Sequence, residues 1–355
     1  MYPYRHLFDF TREIFLNIGC SLEDAQLATQ VLLEADLRGV DSHGVARLSG
    51  YIRLWEAGRI NPKPNITIAH ETPSTATVRR RRRIGPGGSA ACDGNCHEKA
   101  ENVGSGWVSV RNSNHFGIAG YHAMQALQRD MIGMAMTNAS PLVAPTHSTQ
   151  RMLGTNPIAV AVPANEQPPF VADLATTTAA NGKLEILQRK QKQTPSGWVQ
   201  TATGLGSTNP FEVQAGGALL PLGSTKNRGS HKGYALGSIV DIFSGVLSGA
   251  NYGPWVPPFV SFLAPPADPV GQGIGHFLGA MRIDAFRPAD EFKHHMDNWI
   301  NAFRNAQVKR GEKAVLIPGD PERIMTAKRL QKGIPLLPPV EKDLTEVGKK
   351  FGIKF

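Results

Sequence analysis

The chain has 355 residues, of which 41% are hydrophobic and 19% charged, a composition that excludes a disordered chain and indicates a substantial core. The formal net charge of +9 permits attraction to anions, although five of the positive charges form one arginine run at residues 79–83. Three cysteines make no disulfide framework and indicate a reducing compartment. With no signal segment or membrane span recognisable, the sequence predicts a cytoplasmic protein.

The N-terminal segment is predicted to be helical. A capping box at residues 21–24 begins a helix that runs to about residue 38. A second helix is predicted from a cap at Asp41 or Ser42 to a stop at Gly58. Its apolar face consists of residues at three- and four-residue spacing, Val45, Leu48, Ile52 and Trp55. Three prolines within residues 59–75 indicate an extended linker.

A second stripe on this predicted helix carries His43, Arg47 and Tyr51, which are four residues apart. His43 is expected in the first helical turn, where the positive helix end disfavours imidazolium. Arg47 can bind a carboxylate through two parallel hydrogen bonds. A neutral base beside a carboxylate ligand suits proton transfer at a 2-hydroxy or 2-oxo acid. The alternative from spacing alone is a helix surface with three solvated polar residues.

From residue 106 onward, strands alternate with helices, which favours an α/β domain. Strands are predicted at residues 107–111, 131–136, 158–162, 170–173, 277–286 and 315–317. Helices are predicted at residues 118–128, 179–190, 233–247 and 288–305, and from a cap at Asp320. Residues 191–229 are predicted to form a long ordered excursion, and the apolar helix at 233–247 is predicted to lie in the core.

Several polar loops flank these predicted strands and helices. His115 lies in such a loop, residues 112–117, and is a second candidate for proton transfer or substrate contact. Asp173 ends a strand and could orient a histidine or bind a ribose hydroxyl, and the threonines after it could hold phosphate. Lys232, at the start of an apolar helix, offers a charge to a phosphate. The alternative for each loop is ordinary turn and cap chemistry.

Three further patterns are interpreted as carrying no site. The glycines at 85–90 and 271–275 lack the strand or the third glycine that a Rossmann dinucleotide fingerprint requires. The two cysteines at 92–97 lack the four ligands of a zinc site, so no metal is expected. The arginine run has no accompanying nucleic-acid-reading module, so no nucleic-acid partner is expected.

Six motifs, in order along nearly the whole chain, resemble those of the type-2 malate/L-lactate dehydrogenase family, which includes ureidoglycolate, sulfolactate and diketogulonate oxidoreductases. The first is Asp41-Ser42-His43-Gly44 with Arg47 and Tyr51, followed by Asn114-His115-Phe116-Gly117. The others are Gly154-Thr155-Asn156-Pro157, residues 173–178, Ser230-His231-Lys232-Gly233 and Pro318-Gly319-Asp320-Pro321-Glu322.

The resemblance implies an α/β (α+β) fold with a non-Rossmann cofactor domain built on a mixed, largely antiparallel sheet. It also implies a homodimer, and reversible hydride transfer between NAD(P) and a small 2-hydroxy acid, with malate or lactate favoured. The three regions expected are a helical N-terminal region at 1–75, the cofactor domain at 76–305 and a C-terminal segment at 306–355 that packs back on the first. A non-catalytic cofactor-binding homodimer is an alternative, as is a ureidoglycolate- or diketogulonate-type dehydrogenase.

By the family pattern, His43 is the proton donor and acceptor, although some members use the position of His115. Arg47, Tyr51 and Ser42 match substrate ligands. The positions that match cofactor-contacting segments are Ser140, Asp173, Leu174, Ala175, Thr176, Thr178, His231, Lys232, Gly319, Asp320 and Pro321. NAD is the expected cofactor, with NADP left open. Residues 79–97 depart from the family pattern, through either real divergence or a local reading-frame shift.

Overall fold

The computed structural model describes residues 1–63, 65–80 and 90–355, and the side chains of all of these except residues 80 and 90–94. The α-helices of this part of the chain are α1 Tyr4–Asn17, α2 Leu22–Leu37, α3 Leu48–Glu56, α4 Ala90–Val103, α5 Ala119–Met124, α6 Asn181–Arg189, α7 Ser230–Asp241, α8 Ala289–Arg304, α9 Asp320–Lys332 and α10 Pro338–Phe351. The strands are β1 Ile66–Glu71, β2 Thr75–Arg80, β3 Ser105–Ser113, β4 Met131–Thr137, β5 Ile158–Val162, β6 Phe170–Leu174, β7 Val199–Gln200, β8 Gly206–Ser207, β9 Ala218–Leu219 and β10 Ile274–Arg282.

A mixed sheet with strand order β1-β2-β3-β10-β4-β5-β6 forms the centre of the fold. Among its described strand pairs, β2 and β3 run parallel and every other pair is antiparallel. The late strand β10 is inserted between β3 and β4. This topology confirms the predicted mixed, largely antiparallel sheet. It differs from the parallel sheet of a Rossmann domain, in agreement with the missing glycine fingerprint.

Small residues let helices approach this sheet closely. A Cβ on Gly133 of β4 would lie 2.0 Å from the carbonyl oxygen of Ala123 in α5. A Cβ on Gly106 of β3 would lie 1.9 Å from the carbonyl oxygen of Cys96 in α4. Both separations are far below van der Waals contact, so only glycine allows these packings. The core between these layers is correspondingly rich in alanine.

A second core lies between the N-terminal helices and the C-terminal segment. Its fully buried residues include Ile14 of α1, Leu32 of α2 and Leu48 of α3. Leu344 of α10 belongs to the same cluster, and a backbone bridge joins Tyr2 to Ile334. The C-terminal segment therefore contacts the N-terminal helices, while the domain boundaries at residues 75 and 305 stay a prediction.

The capping box at the start of α2 is confirmed, since the Ser21 hydroxyl accepts a hydrogen bond from the Asp24 amide at 3.1 Å. The predicted start of the next helix is wrong. Residues 41–44 form a turn, a 3₁₀ turn follows at Val45–Arg47, and α3 begins only at Leu48. The cause is a long-range contact, because the buried Asp36 carboxylate accepts the Val45 amide at 2.8 Å.

Other element predictions also need correction. The predicted linker contains β1, which pairs with β2. The strand predicted at 277–286 lies at Ile274–Arg282 instead. No strand forms at 315–317, since the Ile317 amide is bonded to the Asp320 carboxylate at 2.9 Å rather than to a neighbouring strand. The N-cap of α9 is Gly319. Asp320, predicted as the cap, is instead the first residue of the helix.

The helix predicted as core at 233–247 is only half buried. Gly233, Gly237 and Val240 face inward from α7. The opposite face of α7 and of the π-helical turn that follows it is exposed and apolar. It presents the residues Leu236, Ile239, Ile242, Phe243, Val246 and Leu247, with exposed fractions of 36–58%.

Some predictions concern residues that are not described. Arg81–Arg83 and most of the glycine pattern at 85–90 lie outside the described residues, as does the side chain of Cys92. Within the described part, no group of His, Cys, Asp and Glu side chains is arranged to hold a metal ion. Among the same residues, no helix combines the length and apolar character that a membrane crossing requires.

Candidate active site

The turn before α3 and the loop after β3 bring His43 and His115 together. Their rings stack with centroids 5.5 Å apart and planes 22° from parallel. Both side chains line one cavity, which is open to solvent. Because 72 residues separate these histidines in sequence, the fold itself assembles the pair. The predicted helix that carries His43 and the predicted loop that carries His115 therefore contribute to one cavity.

Each imidazole has a fixed hydrogen-bond partner. The Ser42 hydroxyl lies 2.8 Å from Nδ1 of His43. The Tyr51 hydroxyl lies 2.6 Å from Nδ1 of His115, and the Gly117 amide donates to the same nitrogen at 3.3 Å. A backbone amide can only donate, so Nδ1 of His115 is the acceptor and the ring proton is on Nε2. His115 can thus present an N–H donor through Nε2.

The surroundings keep both histidines neutral. Burial, and then the charge of Arg47, lower the pKa of His43 to about 3. Burial lowers the pKa of His115 well below its usual value, and His43 and Arg47 add to the effect. Burial also raises the pKa of Tyr51, so its hydroxyl keeps its proton. The expected neutral base is present, but its cause is burial and not a helix end, because His43 precedes α3.

Arg47 lines the cavity with two of its nitrogens already engaged. Its Nε donates to the Ser42 carbonyl oxygen at 2.6 Å, and Nη1 lies 2.9 Å from a carboxylate oxygen of Glu185. The side-chain amide of Asn181 donates a hydrogen bond to the Glu185 carboxylate at 2.8 Å. The third nitrogen, Nη2, packs against Gly182, since a Cβ on that glycine would lie only 2.6 Å from it. With Glu185 in place, Arg47 offers Nη2 rather than a free two-nitrogen fork.

Tyr51 lies behind the histidines and not in the cavity wall. Its side chain is fully buried, and its ring packs against Phe259 at 5.2 Å between centroids. It therefore reaches the cavity through His115. Sequence reasoning missed Phe259, Thr137 and Asn138, which also line the cavity. Phe259 lies in a proline-rich loop without periodicity, so no local signal identified it.

Four of the predicted cofactor residues form hydrogen bonds with backbone groups. Ser140 lines the cavity, and its hydroxyl accepts the Phe259 amide at 2.9 Å. Asp173 accepts the Gly120 amide at the start of α5 at 2.8 Å. The hydroxyls of Thr176 and Thr178 donate to backbone carbonyl groups, which is a structural role. Leu174 is 43% exposed, and Ala175 beside it is half-buried.

Two more predicted segments lie at backbone positions suited to phosphate. His231 and Lys232 are exposed in the first turn of α7, after Gly229 in the left-handed conformation. Residues 319–321 follow Pro318, whose carbonyl oxygen accepts a hydrogen bond from the Val171 amide of β6 at 3.0 Å, so this segment lies against β6. An exposed lysine at a helix start and a cavity with a mixed polar and apolar lining fit a nicotinamide dinucleotide.

Comparison with known proteins agrees with this arrangement. The sequence pattern described as malate/L-lactate dehydrogenase matches residues 2–345. The chain belongs to the malate/L-lactate dehydrogenase family. It is 39% identical over 353 residues to a malate dehydrogenase of Pyrococcus abyssi, covering 99% of this chain and 95% of that protein. It is 36% identical to a malate/(S)-sulfolactate dehydrogenase of Methanothermus fervidus, covering 95% and 94%.

A solved structure of the malate dehydrogenase of Pyrococcus horikoshii superimposes with a TM-score of 0.90 at 36% identity, covering 99% of this chain and 96% of that one. As a member of this family, the chain is an oxidoreductase that exchanges a hydride between a nicotinamide cofactor and a small 2-hydroxy acid. The family and activity implied by the six motifs are confirmed.

Proposed function

We propose that the enzyme interconverts L-malate and oxaloacetate, with the stacked pair of His43 and His115 as its proton-transfer centre. The observation that carries this proposal is the placement of two neutral imidazoles and one arginine in the wall of a single cavity. Relatives named as malate and malate/(S)-sulfolactate dehydrogenases support malate over other 2-hydroxy acids. Lactate and pyruvate are the next pair to test.

Each residue has a role that follows from its contacts. His43 takes the proton of the substrate hydroxyl during oxidation and returns it to the carbonyl oxygen during reduction. Nε2–H of His115 donates to the same oxygen, while Tyr51 fixes the ring that presents it. Nη2 of Arg47 binds the substrate carboxylate, and Ser42 orients His43. When bound, the nicotinamide supplies the hydride chemistry, so the protein contributes orientation and electrostatics.

We propose NAD rather than NADP as the cofactor. Ser140, residues 173–178, the start of α7 and residues 319–321 would hold it. Two arginines near the last segment, Arg304 and Arg323, are already paired with Asp320 at 2.8 and 2.6 Å. They are therefore not free to bind the additional phosphate of NADP.

The exposed apolar face of α7 supports a homodimer. Contiguous exposed apolar surface is a feature of protein–protein interfaces, and also of ligand grooves and membrane-contacting faces. We propose that two copies bury it against each other. The low, odd number of three cysteines in the sequence supports a reducing, cytoplasmic setting.

The deciding experiment is spectroscopic. NADH and NADPH are each oxidised by the purified protein with oxaloacetate, pyruvate and other 2-oxo acids. We expect the highest kcat/KM with NADH and oxaloacetate. Turnover confined to another 2-oxo acid would replace malate as the substrate. Cofactor binding in a calorimeter without turnover on any acid would favour a non-catalytic cofactor-binding protein.

A further inference from the structure

A second cavity adjoins the catalytic one. We call it the arginine chamber, and it is open to solvent. Arg47, Phe259 and Val260 line both cavities, so the two spaces meet at these side chains. The chamber extends from there between α3 and α6. Its charged lining residues are Arg47, Arg53, Glu185 and Arg189.

The charges of this chamber are not balanced. Glu185 is the one acidic side chain among the lining residues, and it is paired with Arg47. Arg53 donates to the Phe259 carbonyl oxygen, which carries no full charge. Neither Arg53 nor Arg189 has a carboxylate partner within the residues that the structure describes. Two positive charges therefore face the chamber without compensation, which is costly for partly buried groups unless an anion binds.

The position of the chamber indicates which anion it would take. A 2-hydroxy acid with its hydroxyl at His43 and His115 has its C1 carboxylate beside Arg47. Arg47 forms the boundary with the chamber, so a substituent on C3 of that substrate can extend past Phe259 toward Arg53 and Arg189. The residues proposed for the cofactor do not line the chamber, so a cofactor phosphate is not its natural occupant.

We propose that the arginine chamber binds the distal anionic group of the substrate, and that Arg189, assisted by Arg53, makes the enzyme selective for dianionic 2-hydroxy acids. The group is a carboxylate or a sulfonate on C3. This inference rests on the proposed function for the position of C2. Arg189 is the last residue of α6, whereas Arg53 donates a hydrogen bond to the Phe259 carbonyl oxygen. A substitution of Arg189 therefore leaves that hydrogen bond intact, and Arg189 is the residue chosen for the test.

The test compares substrates that differ only in the distal group. Oxaloacetate and pyruvate share C1 and C2, and pyruvate lacks the second anion. Arg189→Gln should lower kcat/KM for oxaloacetate roughly 10-fold or more, the usual scale for losing a charged hydrogen bond. For pyruvate, we expect Arg189→Gln to change kcat/KM by less than about threefold. The corresponding measurement with 3-sulfopyruvate shows whether a sulfonate uses the same position as a carboxylate.

Two further variants separate a binding role from general charge. Lys190→Gln removes a positive charge from the exposed neighbouring residue, and it should leave kcat/KM unchanged for both oxaloacetate and pyruvate. Arg189→Lys keeps the charge and should restore part of the preference for oxaloacetate. Equal losses for oxaloacetate and pyruvate in Arg189→Gln, or no loss for either, would overturn the proposal. A wild-type preference for pyruvate would overturn it as well.

A binding measurement separates this inference from the proposed function. L-Malate and L-lactate are titrated calorimetrically into the wild type and into Arg189→Gln, without cofactor. Tighter binding of malate that is lost in the variant supports the chamber even if the wild type turns over no substrate. Turnover of oxaloacetate together with equal binding of malate and lactate would refute the chamber and leave the proposed function intact.

Discussion

At the scale of single residues, the proposed proton transfer uses two imidazoles whose pKa values burial lowers. A neutral imidazole can accept the substrate proton at once, whereas an imidazolium cannot. His43 has the Ser42 hydroxyl as its partner, and His115 is oriented by Tyr51 and Gly117. This difference in partners supports the proposed roles, proton exchange for His43 and hydrogen-bond donation for His115.

The assignment predicts different losses from the two positions. His43→Ala should lower kcat for malate oxidation roughly 10²-fold or more, the usual scale of general acid–base catalysis. His70→Ala, an exposed histidine on β1, is the matched control and should behave as wild type. Steady-state kinetics of the purified variants decide the point. Near-normal turnover in His43→Ala with a large loss in His115→Ala would transfer the role to His115.

The lowered histidine pKa values also predict the pH dependence of oxidation. With the pKa of His43 at about 3, the base stays deprotonated throughout the weakly acidic range. We therefore expect kcat/KM for L-malate to show no acid limb near pH 6.5, where an ordinary histidine would titrate. The profile is measured from pH 5 to 9 with saturating NAD. An apparent pKa between 6 and 7 that disappears in His43→Gln would contradict the proposed environment of His43.

At the scale of elements, the cavity depends on the close approach of α6 to the turn that carries His43. Gly182, in the first turn of α6, lies where a Cβ would be 2.4 Å from the Ser42 Cβ and 2.6 Å from Nη2 of Arg47. Real Cβ atoms do not tolerate such separations. Ser42, Arg47 or α6 would have to move if a side chain were added.

Gly182→Ala should therefore displace groups that bind substrate and orient His43. We expect kcat/KM to fall roughly 10²-fold, the scale of an ångström-sized misplacement in an active site. Gly206→Ala adds a methyl group where no atom lies within 4 Å, and it should have wild-type kinetics. Circular dichroism checks that both variants are folded. Wild-type kinetics in Gly182→Ala would show that this contact does not position the site.

Comparison of the elements with their predictions shows which signals are local. The strands at 131–136 and 158–162 were predicted correctly because burial within a sheet imposes a pattern on adjacent residues. The start of α3 was predicted wrongly. The turn before it is stabilised by the Asp36 carboxylate, which accepts the Val45 amide from nine residues away in sequence. The pairing of Arg47 with Glu185 spans 138 residues, so no local pattern predicts it.

At the scale of the whole molecule, Asp36 links stability to pH. Burial raises the pKa of Asp36 from 3.8 to about 7. A raised folded-state pKa means that the folded protein binds the proton more tightly than the unfolded chain. The resulting stabilisation is complete below about pH 4 and is lost as the pH rises toward about 7. His43, with its lowered pKa, changes stability with pH in the opposite sense.

Asp36→Asn isolates this contribution, because asparagine keeps an oxygen that can accept the Val45 amide. The unfolding free energy of the wild type minus that of the variant should fall by up to about 1.4 kcal/mol per pH unit between roughly pH 4 and 7. Urea unfolding at several pH values measures the difference. A difference that is constant with pH would show that Asp36 does not titrate in this range.

The apolar face of α7 gives the last prediction, which concerns assembly. On the proposed dimer, the apolar outer face of α7 is buried against a second copy, which removes apolar surface from water. Ile239 is 43% exposed on this face. Ile239→Glu would bury a carboxylate at a two-fold interface, where the same residue occurs in both copies. We expect wild type to sediment as a dimer and Ile239→Glu mainly as a monomer.

Leu205→Glu is the matched control, because Leu205 is 69% exposed but lies outside this face. It should sediment as wild type does. Each variant is also assayed, so that loss of the dimer can be compared with loss of activity. A monomeric wild type, or a dimer that survives Ile239→Glu with unchanged affinity, would place the interface elsewhere or remove it. If monomers form but keep full activity, the cavity of one chain is complete by itself.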